Sequence, residues 1–126
     1  MRRLRLLLSA WLVLVLLPSV TMAIAGAYNP TRVDDANVVA AAKFAVAEQK
    51  KKLQQMNESQ PVHLNLVKIL RARQQIVSGV NYELYLMVSQ DGMEKEVRTI
   101  IWWQAWRKPE SFRLMVWEDK EASTDD

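Results

Sequence analysis

The chain predicts an α+β domain in which one long helix lies across a meander of antiparallel strands. Three observations carry this. Residues 36–56 contain no Gly or Pro, and their apolar positions recur at steps of three and four. After Pro61 the apolar period drops to two. Short links at Gln75–Gly79, Asp91-Gly92 and Ala105–Glu110 then divide the remainder into four strands. A meander with one apolar face needs a cover, and one amphipathic helix supplies it.

The amino-terminal stretch stands apart from this domain. Met1–Arg5 is basic, Leu6–Leu17 is an apolar run of 12 residues, and Pro18 ends the run. Thr21-Met22-Ala23 and Ala23-Ile24-Ala25 both satisfy the small-x-small cleavage rule. Residues 1–23 therefore read as a secretory signal peptide, with cleavage after Ala23 or Ala25. The rival is an uncleaved membrane anchor built from residues 6–25, yet 12 residues fall short of the roughly 20 that a spanning helix needs. The expected destination is outside the cytoplasm, secreted or periplasmic, with no stable membrane association once the leader is removed.

Charge follows the leader. The whole chain has 17 Lys and Arg against 14 Asp and Glu, and three of the arginines are Arg2, Arg3 and Arg5. Residues 24–126 are thus balanced at 14 of each sign. A balanced domain offers no basic footprint for nucleic acid. With 50% apolar residues and no cysteine, the fold has to hold by packing alone.

Along the domain, residues 24–33 have no periodicity and contain Gly26 and Pro30, the composition of an extended, mobile arm. Asp34-Asp35 supplies capping carboxylates for the helix that follows. Its stripe is Val38, Ala42, Ala45, Gln49, Leu53 and Met56, widened by Val39 and Val46; Phe44 lies off it, beside Ala41 and Glu48. Lys50-Lys51-Lys52 is a solvated run near the helix end. The first strand covers Leu64–Arg73, with a phase slip near Val67 and Ile69 that predicts a bulge. Val80, Tyr82, Leu84, Leu86 and Val88 alternate in the second. Glu94–Gln104 is the third, with Val97, Thr99, Ile101 and Trp103 on one face, and Phe112, Leu114 and Val116 mark the last. Residues 118–126 read as an acidic, disordered tail.

The link Gln75-Ile76-Val77-Ser78-Gly79 is the unusual one. Hairpin tips carry Asn, Asp, Gly or Pro and face water. Ile76 and Val77 stand there instead, which is unfavourable unless a partner covers them. Pattern alone leaves two readings open: an apolar hairpin tip, or one long bent strand with both residues in the core. In an antiparallel meander the first and third links fall at the same end, so this tip and the Trp106 linker are expected to be neighbours.

These residues resemble the cystatins, inhibitors of papain-like cysteine proteases. Gln75–Gly79 matches the family's Q-x-V-x-G loop, and Ala42–Glu48 is similar to the plant-cystatin helix signature L-A-R-F-A-V-x-E. Leu64–Gly79 is similar to the strand leading into that loop, and Ile101–Trp106 aligns with the strand and second loop, where the family has Pro-Trp. The resemblance covers residues 24–118. Lack of cysteine fits the disulfide-free branches, the plant cystatins and stefins. Ala105 departs from the usual Pro, which implies a less rigid second loop, and Ala41 and Lys50 depart at the two ends of the helix signature.

The resemblance implies a cystatin-like fold, with the helix across a four- to five-stranded sheet, and reversible competitive inhibition by occlusion. Ile76 and Val77 would enter the protease cleft with Gln75, Ser78 and Gly79 around them, Trp106 would cover the primed side, and Ile24 and Ala25 would fill non-primed subsites. Gly26 would turn the arm away from the nucleophilic cysteine. The implied partner is a papain-like or cathepsin-type protease, bound by a monomer without cofactor.

The plainer readings stand beside this. Trp102, Trp103 and Trp117 read as strand and core packing. His63 is the sole histidine and lies on a strand, so with no cysteine it forms no metal site. No Ser/His/Asp or Cys/His set exists, and the Asp pairs belong to a cap and a tail, which argues against an enzyme. The rival function is a non-inhibitory binding module, secreted or membrane-anchored, on the same scaffold.

Overall fold

In the computed structural model, which describes residues 26–120, a helix packs across a five-stranded antiparallel sheet. Strand β1 is Asn29–Thr31, helix α1 is Ala36–Met56, and strands β2 to β5 are Leu64–Val77, Gly79–Gln90, Met93–Trp103 and Phe112–Asp119. The strands neighbour one another in chain order. The predicted leader, both cleavage sites and the end of the acidic tail lie outside the described residues. Among those described, no helix is long and apolar enough to cross a membrane.

Helix α1 begins where its cap dictates. The Asp35 carboxylate accepts from the Asn37 and Val38 amides at 2.9 and 3.3 Å, while Asp34 pairs with Arg32 instead. The predicted stripe needs correction at both its edge and its end. The buried helix residues are Val38, Ala41, Ala42, Ala45 and Val46, so Ala41 joins the buried face. Small alanines there let the helix backbone approach the sheet closely. Met56 is 82% exposed, so the apolar stripe stops contributing to the core at Leu53. Phe44, off the stripe, packs its ring on Phe112 with centroids 5.6 Å apart.

The sheet core follows the period of two. Leu84, Leu86, Val88, Val97, Thr99 and Ile101 have no exposed surface. Each of the larger aliphatic side chains contributes about 1.5–3 kcal/mol by leaving water. Thr99 satisfies its hydroxyl by donating to the Val116 carbonyl at 2.6 Å. The predicted bulge is present as two register shifts in β2, at Leu66/Lys68 and Ile69/Arg71. Asp91 and Gly92 both take positive φ, the geometry of a two-residue I′ hairpin.

Three further expectations change. The arm is strand over Asn29–Thr31, paired with Gln74, Arg73 and Ala72 of β2, so this part of it is docked. His63 precedes β2 and is exposed, its carbonyl accepting from the Asp91 amide at 2.9 Å. Glu118 and Asp119 belong to β5, paired with Arg98 and Val97, and the Asp119 carboxylate also meets Lys95 at 2.9 Å.

Candidate functional site

Beyond the second register shift, strands β2 and β3 pair continuously from Arg71 up to the tip, with Ile76 opposite Val80 and Val77 opposite Gly79. The link is therefore one residue, Ser78, and the long-bent-strand reading is replaced by a hairpin. Ile76 is 61% exposed and Val77 42%, so the two aliphatic side chains do stand at the surface. Gly79 has φ +90°, and a Cβ there would overlap the Trp103 carbonyl oxygen and lie 3.0 Å from Trp102 Nε1. No other residue suits that position.

The third link comes to the same end of the sheet. Trp106 is 58% exposed, and its ring meets Trp102 edge-on at 6.3 Å. Trp102 in turn donates from Nε1 to the Ser78 carbonyl at 2.7 Å. The loop after β4 is braced through Gln104, which is buried. Its amide donates to the Ser111 carbonyl at 2.8 Å, and its carbonyl accepts from the Arg107 amide at 3.0 Å. Ser111 Oγ donates to the Arg107 carbonyl at 2.8 Å, so the loop with Ala105 has a framework of its own.

The arm joins from the other side. Gln75 Nε2 donates to the Gly26 carbonyl at 2.6 Å, and Gln75 Oε1 accepts from Asn81 Nδ2 at 3.2 Å. Gly26 has φ +82° with open space around it. The Tyr28 ring lies 5.3 Å from the Arg73 guanidinium, and Arg73 is ion-paired with Glu83. Burial, then the Glu83 charge, raise the Tyr28 pKa, so this phenol stays neutral.

Of the predicted site residues, Gly26, Gln75, Ile76, Val77, Ser78, Gly79 and Trp106 thus share one edge. Ile24 and Ala25 lie outside the described residues. Sequence reasoning assigned Trp102 to packing; it faces away from the helix and ties two loops together. Alternation would have shown this, since Ile101 and Trp103 point to the core. Glu83 was also missed: it is 2% exposed, gripped by Arg73 Nε at 2.7 Å and Arg98 Nε at 2.8 Å.

The edge carries exposed apolar side chains at Ile76, Val77 and Trp106. A groove of about 380 Å³ between Phe44, Lys52, Arg107 and Arg113 lies behind the tryptophan loop, away from the tip. Among the described residues no group of three or more His, Cys, Asp or Glu is placed to hold a metal ion.

Comparisons with known proteins bear on the family and the fold. Residues 31–115 match a family model described as aspartic acid proteinase inhibitor. The chain is 36% identical over 101 residues to cysteine proteinase inhibitor 5 of Arabidopsis thaliana, covering 77% of each chain. It is 30% identical over 115 residues to L-cystatin of Tachypleus tridentatus, covering 75% of this chain and 83% of that one. The crystal structure of Al-CPI superposes with a TM-score of 0.55 at 18% identity, over 75% of this chain and 99% of that chain, which shows a shared fold. The hairpin motif, the helix on a five-stranded sheet and these relatives together establish that the chain belongs to the cystatin family.

Proposed function

We propose that this protein is a reversible, competitive inhibitor of papain-like cysteine proteases, acting outside the cytoplasm by occluding the active-site cleft. The observation that carries the reading is the convergence of Gly26, Ile76-Val77 and Trp106 on one edge. Exposed aliphatic and tryptophan side chains on a braced edge suit a narrow apolar cleft, and a preformed edge loses little entropy on docking. Relatives named cysteine proteinase inhibitors support the same target class. The leader pattern of residues 1–23 supports export.

The mechanism involves no chemistry by this chain. Ile76 and Val77 fill the cleft, Trp106 covers the primed side, and the arm ahead of Tyr28 occupies the non-primed side. The turn at Gly26 keeps a scissile carbonyl away from the nucleophile.

A second target class follows from the family model, whose description names aspartic proteinases. One experiment separates the two: titration of the purified protein against papain and against pepsin, each with a fluorogenic peptide, alongside Trp106→Ala. Inhibition of papain, weakened at least about tenfold by Trp106→Ala, is the expected outcome. Inhibition of pepsin alone, or of neither by a folded sample, would overturn the cysteine-protease reading; inhibition of neither would favour a non-inhibitory binding module.

A further inference from the structure

The two loops of the edge join different strand pairs, one β2–β3 and one β4–β5; the β3–β4 ladder ties their bases through Val80 and Trp103, and Ser78 and Trp106 lie beyond it. Ser78 is the single residue between the paired Val77 and Gly79, so its carbonyl falls outside the ladder. Trp102 supplies the partner. Alternation along β4 sends Val97, Thr99 and Ile101 to the core and Trp102 to the other face, beside the tip. From there its indole N–H reaches the Ser78 carbonyl at 2.7 Å, and its ring holds that of Trp106 at 79° between planes. The space it uses exists because residue 79 has no side chain.

We infer that Trp102 is a positioning residue, which holds the hairpin tip and the Trp106 loop at the separation the protease cleft requires. The inference rests on the inhibitor reading above. Trp102 acts through Ser78 and Trp106 rather than by touching the protease. With both loops tied to one rigid indole, docking orders neither, and affinity is retained as slow dissociation. Without the tie, each loop has to be ordered separately on binding.

The test uses Trp102→Phe, which keeps an aromatic side chain on that face of β4 but removes the N–H donor along with the second ring of the indole. In nitrogen-15 spectra of the free protein, Trp102→Phe should shift the Ser78 and Gly79 amides and the Trp106 indole signal, leaving Met93 and Glu94 unmoved. Against papain it should weaken inhibition about three- to tenfold through faster dissociation, the effect of one hydrogen bond, with Tm within about 2 °C of wild type. Combined with Trp106→Ala, its effect should be smaller than in the wild-type background, because the two act as a unit. Unmoved Ser78 and Trp106 signals would overturn the tie. An unaltered inhibition constant, or full additivity with Trp106→Ala, would overturn its role in inhibition. Should wild type fail to inhibit papain, the inhibitor reading falls by itself, and the spectra still decide whether Trp102 couples the loops.

Discussion

Within the five residues Gln75–Gly79, the side chains divide their tasks. Gln75 is engaged on both sides, by Gly26 and by Asn81, and the Ser78 carbonyl is taken by Trp102. Ile76 and Val77 carry the outward apolar surface. Gly79 has a reason internal to the fold: positive φ together with the Trp103 carbonyl leaves no room for a Cβ. Gly79→Ala should therefore lower stability by about 1–3 kcal/mol, read as a fall of several degrees in Tm, and should weaken inhibition by displacing the tip. An unchanged Tm would contradict this account of the residue. The motif itself was legible as letters in the sequence. Its internal bonds were not, because they depend on which carbonyls the turn leaves free and on a tryptophan 24 residues away.

At the scale of elements, the outer face of the sheet is held by charge as well as by the ladder. Glu83 sits between Arg73 on β2 and Arg98 on β4, and Arg98 also approaches Glu118 on β5 at 3.6 Å. Burial pushes the Glu83 pKa up, but the hydrogen bonds and charges of the two arginines outweigh it and leave the carboxyl below its ordinary value. A lowered pKa means the contribution is complete above the ordinary Glu range, about 4.3, and is lost as pH falls through the folded-state value. Glu83→Gln removes the anion that both arginines share, and should cost about 1–3 kcal/mol at pH 7. The difference in Tm between the variant and wild type should shrink below about pH 4. A difference that stays constant from neutral to acid would show that the carboxylate charge is not what matters.

Most elements were legible because local signals and burial agree. Asp35 and the 3.6 period marked α1 to the residue, and alternation marked β3 and β4. Strand β1 was not legible, since Asn29-Pro30-Thr31 has no apolar period and becomes a strand only by pairing with β2. Strand β2 was read too short for the same reason: Gln74 to Val77 gain their strand character from β3 opposite them. Glu83 was hidden by alternation, which places it on a solvent face. Only the positions of Arg73 and Arg98 make that face closed.

At the scale of the molecule, the meander puts two kinds of end on one sheet. The Ser78 tip, the Trp106 loop and the arm meet at one end; the Asp91-Gly92 hairpin lies at the other, where Met93 is 75% exposed. Helix α1 covers the inner face between them and presents no part of the edge. On the proposed reading, the scaffold leaves the tip, the Trp106 loop and the start of the arm free for a partner, while the core residues Leu84, Leu86 and Ile101 keep their common platform rigid.

The central claim, that this one edge enters a cysteine-protease cleft, is tested most directly by mapping the bound surface. Nitrogen-15 spectra of the protein would be recorded as papain, blocked at its catalytic cysteine by a methylthio group, is added. The account predicts that signals of Gly26, Ile76, Val77, Ser78 and the Trp106 indole shift or broaden together, while those of Met93, Glu94 and Gln60 keep their positions beyond the general broadening of a larger complex. Changes confined to the Asp91-Gly92 end, or to the outer face around Arg98, would contradict it.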